Sequence, residues 1–188
     1  MLRKEPGGFQ LLPKPLPLMI ASEVRLAHLH TFGIKPTYIQ RLDVACRDGW
    51  QAAELLAVNP SQIADLTLFW LSHRPFGVLH APDHAPRLRR MQQWLGRLVR
   101  PMSPQDIAVV CHSPRARLPW NAGDRPFPIL MDRHLLDAPV VWLSLGDNIY
   151  WIALTPNHLL WASAAYVVDL ADGHWITDSI GEDASPSL

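Results

Sequence analysis

Several side chains in this sequence are of types that do chemistry, and their spacing limits what that chemistry can be. His80, Asp83 and His84 lie close together and offer two imidazoles and a carboxyl, a donor set suited to a metal ion or to acid–base catalysis. Pro82 interrupts the helical turn that would bring the two histidines onto one face, and no further ligand run stands nearby, so no metal site is expected. Cys111 is followed directly by His112, and sequence neighbours diverge, which argues against a thiol–imidazole pair. Ser144, Ser163 and Ser179 lack the glycine frame of a nucleophile elbow. Asp147, Asp169, Asp172 and Asp178 could form a carboxylate site, but three of them fall at expected turns or strand ends, where aspartate has structural uses. From these residues no catalytic group and no cofactor is expected, and an enzyme of unrecognised family stands as an alternative.

Arginine gives the strongest global signal. Net charge is zero, yet residues 74–117 hold eight Lys+Arg against two Asp+Glu, whereas residues 118–188 hold two against nine. Arg74, Arg87, Arg89, Arg90, Arg97, Arg100, Arg115 and Arg117 could track a phosphate backbone, because the guanidinium fork matches phosphate oxygens. Phe76, Trp94 and Trp120 could stack on unpaired bases. The alternative is a solvated face, or arginines paired with the chain's own acidic final third or with an acidic protein partner. With eight tryptophans in the chain, Trp94, Trp120, Trp142 and Trp151 are candidate anchors for a protein partner or a second copy.

The elements that would position these groups read as α+β, with a helical N-terminal part and a β-rich C-terminal part. Residues 1–18 are rich in proline and glycine and suggest an extended arm; 19–118 read as a mainly helical domain, 119–180 as a β-rich domain or subdomain, and 181–188 as a frayed tail. Helices are expected over about 20–32, from Pro36 to Gly49, and from Trp50 to Ala57 behind Asp48. Asn59, Pro60, Ser61 and Gln62 form a capping box that should open a further helix through Leu71. A short apolar piece, Phe76 to Leu79, could be a strand. An arginine-studded helix follows from Pro86 to Val99, and a helix or strand follows Ser103. Val140 to Leu145 and Ile149 to Leu154 flank Gly146, Asp147 and Asn148 as a hairpin should, and Tyr166 to Leu170 and His174 to Asp178 repeat that pattern. The segment between the hairpins, His158 to Ala165, fits a helix or a strand.

Residues 52–66, with Ala52 and Ala53 small enough for close helix contact, Val58 at the turn, and Ile63 and Leu66 on the second element, resemble the helix-turn-helix of bacterial excisionase-type and MerR-type regulators. The resemblance implies DNA binding, with Ser61 and Gln62 placed to read bases. Pro15, Leu16, Pro17, the Arg25 to His28 run and residues 50–68 are similar to the N-terminal region of TniQ-type transposition-targeting proteins, whose cysteine-rich zinc modules two cysteines cannot supply. Hydrophobic content of 48% and charged content of 18% fit a globular chain and exclude a disordered one. No apolar run approaches the roughly 18 residues of a membrane span. Glu5, Pro6, Gly7 and Gly8 stand where a signal peptide would be apolar, and Cys46 and Cys111 are too few for a disulfide framework, so a cytoplasmic setting is expected. Arginine in place of lysine suggests a GC-rich bacterial gene. Together these readings predict a non-catalytic, nucleic-acid-associated accessory protein of a larger bacterial complex. A protein–protein adaptor or structural subunit without nucleic-acid contact is the alternative.

Overall fold

The computed structural model describes residues 26–27, 29–30, 33–111, 127–170 and 174–175. Period-two alternation of side chains organises it around two sheets. In the first, β1 (Tyr38–Arg41), β7 (Tyr150–Leu154) and β6 (Val141–Ser144) lie side by side in that order, all antiparallel. The second has six strands in the order β4 (Val99–Pro101), β2 (Asp65–Leu71), β3 (Arg74–His80), β5 (Ile129–Asp132), β8 (Tyr166–Asp169) and β9 (His174–Trp175). Its central strands β3, β5 and β8 run parallel; the flanking pairs are antiparallel.

Each strand divides its residues between two apolar layers. Leu68, Leu79, Ile129 and Met131 from the six-stranded sheet meet Val141, Leu143, Ile152 and Leu154 from the three-stranded one in the central core. The opposite face of the larger sheet buries Phe69, Phe76, Val78, Leu130 and Val168 with Met91 of helix α2 (Leu88–Leu95). The opposite face of the smaller sheet buries Trp142, Trp151 and Ala153 with Ala52 and Ala53 of helix α1 (Gly49–Leu56). Helices α3 (Pro104–Cys111) and α4 (Pro156–Ser163) complete the described elements, and both sheets draw strands from both halves of the chain. Gly49 opens α1 where that helix presses closest to the larger sheet: a Cβ there would strike the Asp65 carboxyl and come 2.6 Å from Pro82 Cγ.

The architecture is a mixed α/β fold, which corrects the expected helical N-terminal part. Residues 36–49 contain β1 and a loop, because Tyr38 to Arg41 extend along β7. The helix-turn-helix is also corrected. Helix α1 forms behind its Asp48 cap and ends at Ala57, which is left-handed at φ 54° and whose N–H returns to Ala53 and Glu54. The capping box at Asn59 is real, but it closes only one 3₁₀ turn, Pro60–Gln62. Ile63 then bridges to Trp142, the Ala64 N–H donates to the Trp142 carbonyl at 2.8 Å, and the chain continues as β2. Burying a large apolar side chain is worth about 1.5–3 kcal/mol, whereas helix propensities differ by at most about 0.7 kcal/mol per residue. Leu68, Phe69 and Leu71, buried on two opposite faces, therefore decide for the strand. No recognition helix exists at this position.

Two readings of the second half are seen directly. Val141 to Leu154 form the β6–β7 hairpin, and the segment after it is helix α4, capped by Thr155. No helix among the described residues is long and apolar enough to cross a membrane.

Candidate active site at the carboxyl ends of the parallel strands

Parallel strands bring their carboxyl ends to one edge, and in open α/β sheets that edge is where ligands bind. Here β3, β5 and β8 end in His80, Asp132 and Asp169, all buried. His80 is fixed by the protein. Its Nδ1 lies 2.9 Å from the Ala81 carbonyl oxygen, which can only accept, so that nitrogen carries the hydrogen and Nε2 accepts from the Thr67 hydroxyl at 2.9 Å. Arg133 Nε donates to Asp169 Oδ2 at 3.0 Å, placing a half-exposed cation on a buried carboxylate.

Asp132 is different. It is wholly buried, and two imidazoles face it. His134, in the 3₁₀ turn Arg133–Asp137 that follows β5, sets Nδ1 at 3.3 Å from Oδ1. His84, in the 3₁₀ turn Pro82–His84 that follows β3, sets Nδ1 at 3.7 Å from Oδ2, beyond hydrogen-bond range. The two rings stand 4.1 Å apart between centroids, tilted by 43°. Oδ2 has no hydrogen-bond partner among the described residues. Beside this trio opens a cavity of about 360 Å³ lined by Asn59, Ser61, Gln62, His84, His134 and Asp137 among others. His84 also lines a second cavity of about 400 Å³, with Asp83, Arg87 and Arg90 among others.

The residues singled out in the sequence fall as follows. Ser61 and Gln62 line the first cavity, but their polar groups also serve the capping box: Asn59 Oδ1 accepts from the Ser61 N–H and hydroxyl, and Gln62 Oε1 accepts from the Asn59 N–H. Arg87 and Arg90 line the second cavity, while Arg74, Arg89 and Arg97 are exposed elsewhere. Arg100 lies 5.5 Å over the Trp70 ring and 3.4 Å from Asp106. The Asp106 carboxyl is held below the usual carboxylate range, first by the Ser103 N–H and also by Arg100. Trp94 is half-buried against the cluster around Phe69, and Trp142 and Trp151 are core residues; Trp142 stacks on exposed Tyr38. Asp147 accepts from the Ile149 and Tyr150 N–H groups, each at 2.9 Å, inside its loop. Arg115, Arg117, Trp120, Asp172 and Asp178 lie outside the described residues.

His84 was visible in the sequence, but its partners were passed over. The available signal was the apolar run Ile129 to Met131 ending in Asp132, Arg133 and His134, a strand that stops on polar groups. Cys111 is not part of this site, and burial pushes its thiol pKa up from 9.0.

Neither a protein-family model nor a curated protein matches the chain by sequence. Solved structures do match in fold. A candidate trans-editing enzyme for prolyl-tRNA synthetase superposes with a TM-score of 0.70 at 21% identity, over 85% of this chain and 98% of that one. A hypothetical protein gives 0.66 at 19% identity, over 76% of this chain and 95% of that one. A candidate signal transduction protein from Marinobacter aquaeolei gives 0.56 at 16% identity, over 82% of this chain but 30% of its own. These likenesses establish the fold. They replace the resemblance to helix-turn-helix regulators and to TniQ-type proteins. The expected non-catalytic, nucleic-acid-associated accessory role, carried by the basic middle with the helix-turn-helix-like hairpin as scaffold or reader, is overturned by a fold matching other proteins and by residues 60–71 forming one 3₁₀ turn and a strand.

Proposed function

We propose that this chain is a hydrolase that removes an amino acid from its ester linkage to tRNA, acting in the cleft over the ends of β3 and β5. The observation that carries the reading is the His84–Asp132–His134 trio opening on a cavity of about 360 Å³, in a fold shared with a candidate trans-editing enzyme. With His134 Nδ1 turned to Asp132, the other ring nitrogen is the one able to meet a water in the cavity. That water's oxygen attacks the ester carbonyl carbon while its proton passes to an imidazole. The tetrahedral adduct then breaks its bond to the ribose oxygen, which takes the proton back, leaving a free amino acid and an uncharged tRNA. The cavity's volume suits a small side chain. Arg87 and Arg90 line the neighbouring cavity, where positive charge suits the phosphates of the tRNA end. A tRNA ester as substrate sets the reaction in the cytoplasm.

The test is release of labelled amino acid from proline tRNA esterified with a panel of amino acids. We expect at least one ester to be cleaved well above its spontaneous rate, and His134→Ala to lower that rate by about 10²–10⁴-fold, the usual share of a general base. Release no faster than in buffer across the panel would overturn the reading. The occurrence of the fold as 30% of a candidate signal transduction protein favours a second one, a module that binds an aminoacyl group without turnover. Saturable binding of a non-hydrolysable aminoacyl-adenosine amide with no ester cleaved would select it.

A further inference from the structure

The geometry points to a site for one divalent transition-metal ion, held by His84, Asp132 and His134. Each residue offers one donor atom, and the three atoms lie within 4.8 Å of one another. Zinc binds nitrogen at about 2.0–2.1 Å and carboxylate oxygen at about 2.0–2.2 Å, so two ligands on a tetrahedral ion stand about 3.3 Å apart. His134 Nδ1 stands 3.3 Å from Asp132 Oδ1 and His84 Nδ1 3.7 Å from Oδ2, so each imidazole lies about one such edge from the carboxylate oxygen it faces.

A network of hydrogen bonds alone leaves two features of the trio unexplained. Asp132 is wholly buried at the end of β5, and its Oδ2 lacks a hydrogen-bond partner among the described residues while aimed at an imidazole too distant to donate. A buried acceptor in that condition is rare and calls for a specific cause such as an ion. In addition, the two imidazoles are packed 4.1 Å apart between centroids. One metal ion would satisfy both nitrogens and the orphan oxygen together. Two imidazoles and one carboxylate favour zinc, cobalt, nickel or ferrous iron over magnesium or calcium, which take oxygen ligands. Three protein ligands leave a coordination position open, and the cavity beside His84 and His134 is where it would face.

Metal binding does not depend on the ester-hydrolase reading; what the ion would do there does rest on it, for with His134 Nδ1 on the ion, the ion in place of that imidazole would hold and acidify the attacking water. The experiment separates the two. The full chain, stripped with a chelator and dialysed, is titrated with Zn²⁺ in competition with a chromophoric chelator and with Co²⁺ followed by its visible absorption. We expect one ion per chain, and a loss of affinity of about 10–100-fold or more in Asp132→Asn and in His84→Ala, since even residues that only support a metal ligand contribute that much. His84→Ala lies at a partly exposed position, so a fold defect in one variant would leave the other informative. Absence of stoichiometric binding, or equal affinity in wild type and both folded variants, would overturn the site. Ester release without stoichiometric binding would overturn the site while sparing the hydrolase; stoichiometric binding with no ester cleaved would uphold the site and sink the hydrolase.

Discussion

Replacing Asp132 by asparagine should make the metal-stripped protein more stable, not less. The carboxyl is wholly buried, with one oxygen 3.3 Å from His134 Nδ1 and the other without a hydrogen bond among the described residues. A buried acceptor left unsatisfied costs about 1–3 kcal/mol, and more when charged. Asparagine has the same shape, keeps an oxygen for His134 and has no charge to desolvate, although its NH₂ would still stand 3.7 Å from His84 Nδ1. We therefore expect a gain of about 1–2 kcal/mol, which for a chain of this size corresponds to roughly 2–8 °C in thermal midpoint. Urea unfolding in chelator, with an unchanged denaturant slope, measures the difference. With zinc at 100 times the wild-type dissociation constant, wild type should gain about 2.7 kcal/mol by mass action and a variant weakened about 100-fold only about 0.4 kcal/mol, so their order reverses. An asparagine variant less stable than wild type by more than about 1 kcal/mol in chelator would refute the reasoning. It would mean that the protein itself satisfies the carboxyl, and the site would lose its orphaned ligand.

Gly77 faces Ile129 across the β3–β5 pair, and an added Cβ would come 2.6 Å from Ile129 Cδ1 and 2.9 Å from Leu66 Cδ1; Gly77→Ala should cost about 1–3 kcal/mol by overpacking, measured by urea denaturation. Cys111 has its pKa raised above 9.0 by burial. Its thiol should thus resist alkylation until the protein unfolds, and the stability it lends is complete below the unfolded pKa and lost as pH rises through the higher folded one. Cys111→Ala should flatten that alkaline decline in midpoint scans. Arg87 is exposed on the second cavity. Arg87→Ala should raise KM for an aminoacyl-tRNA about fivefold, roughly 1 kcal/mol after allowing for solvent screening, with kcat unchanged and no effect on a simple amino-acid ester that lacks phosphates.

What could be read in the sequence was what local chemistry decides. The β6–β7 hairpin was legible because Gly146, Asp147 and Asn148 interrupt two β-branched and aromatic runs, and α1 was legible from Asp48. β2 was misread because both of its faces are buried. Leu68 enters the central core and Phe69 the outer one, so Leu68–Leu71 is uniformly apolar and hides the alternation begun by Asp65 and Thr67, and a capping box stands just upstream. The candidate site was half legible for a related reason. His84 could be picked out among nearby histidines, but only the parallel pairing of β3 with β5 carries Asp132 and His134 to it. That pairing joins segments far apart in the chain, and nothing local in either announces the other.

The charge asymmetry that first suggested a nucleic-acid surface takes on a different meaning in the folded chain. The arginines are not gathered on one reading element: Arg100 is paired with Asp106 over Trp70, whereas Arg87 and Arg90 lie beside His84. Two carboxyls of the acidic final third, Asp132 and Asp169, are buried at the strand ends, and the cation that meets Asp169 is Arg133 from that same third. The parallel strands therefore bring Asp132, a buried carboxyl from the chain's end, to the histidine that shares a cavity with Arg87 and Arg90 from its middle. An exposed basic stripe would attract phosphates without acting on them. On the proposed reading, cations beside an imidazole whose partner carboxyl is buried would hold an anionic carrier next to a group able to move a proton or bind a metal, and an amino-acid ester at the end of a phosphodiester chain has both features.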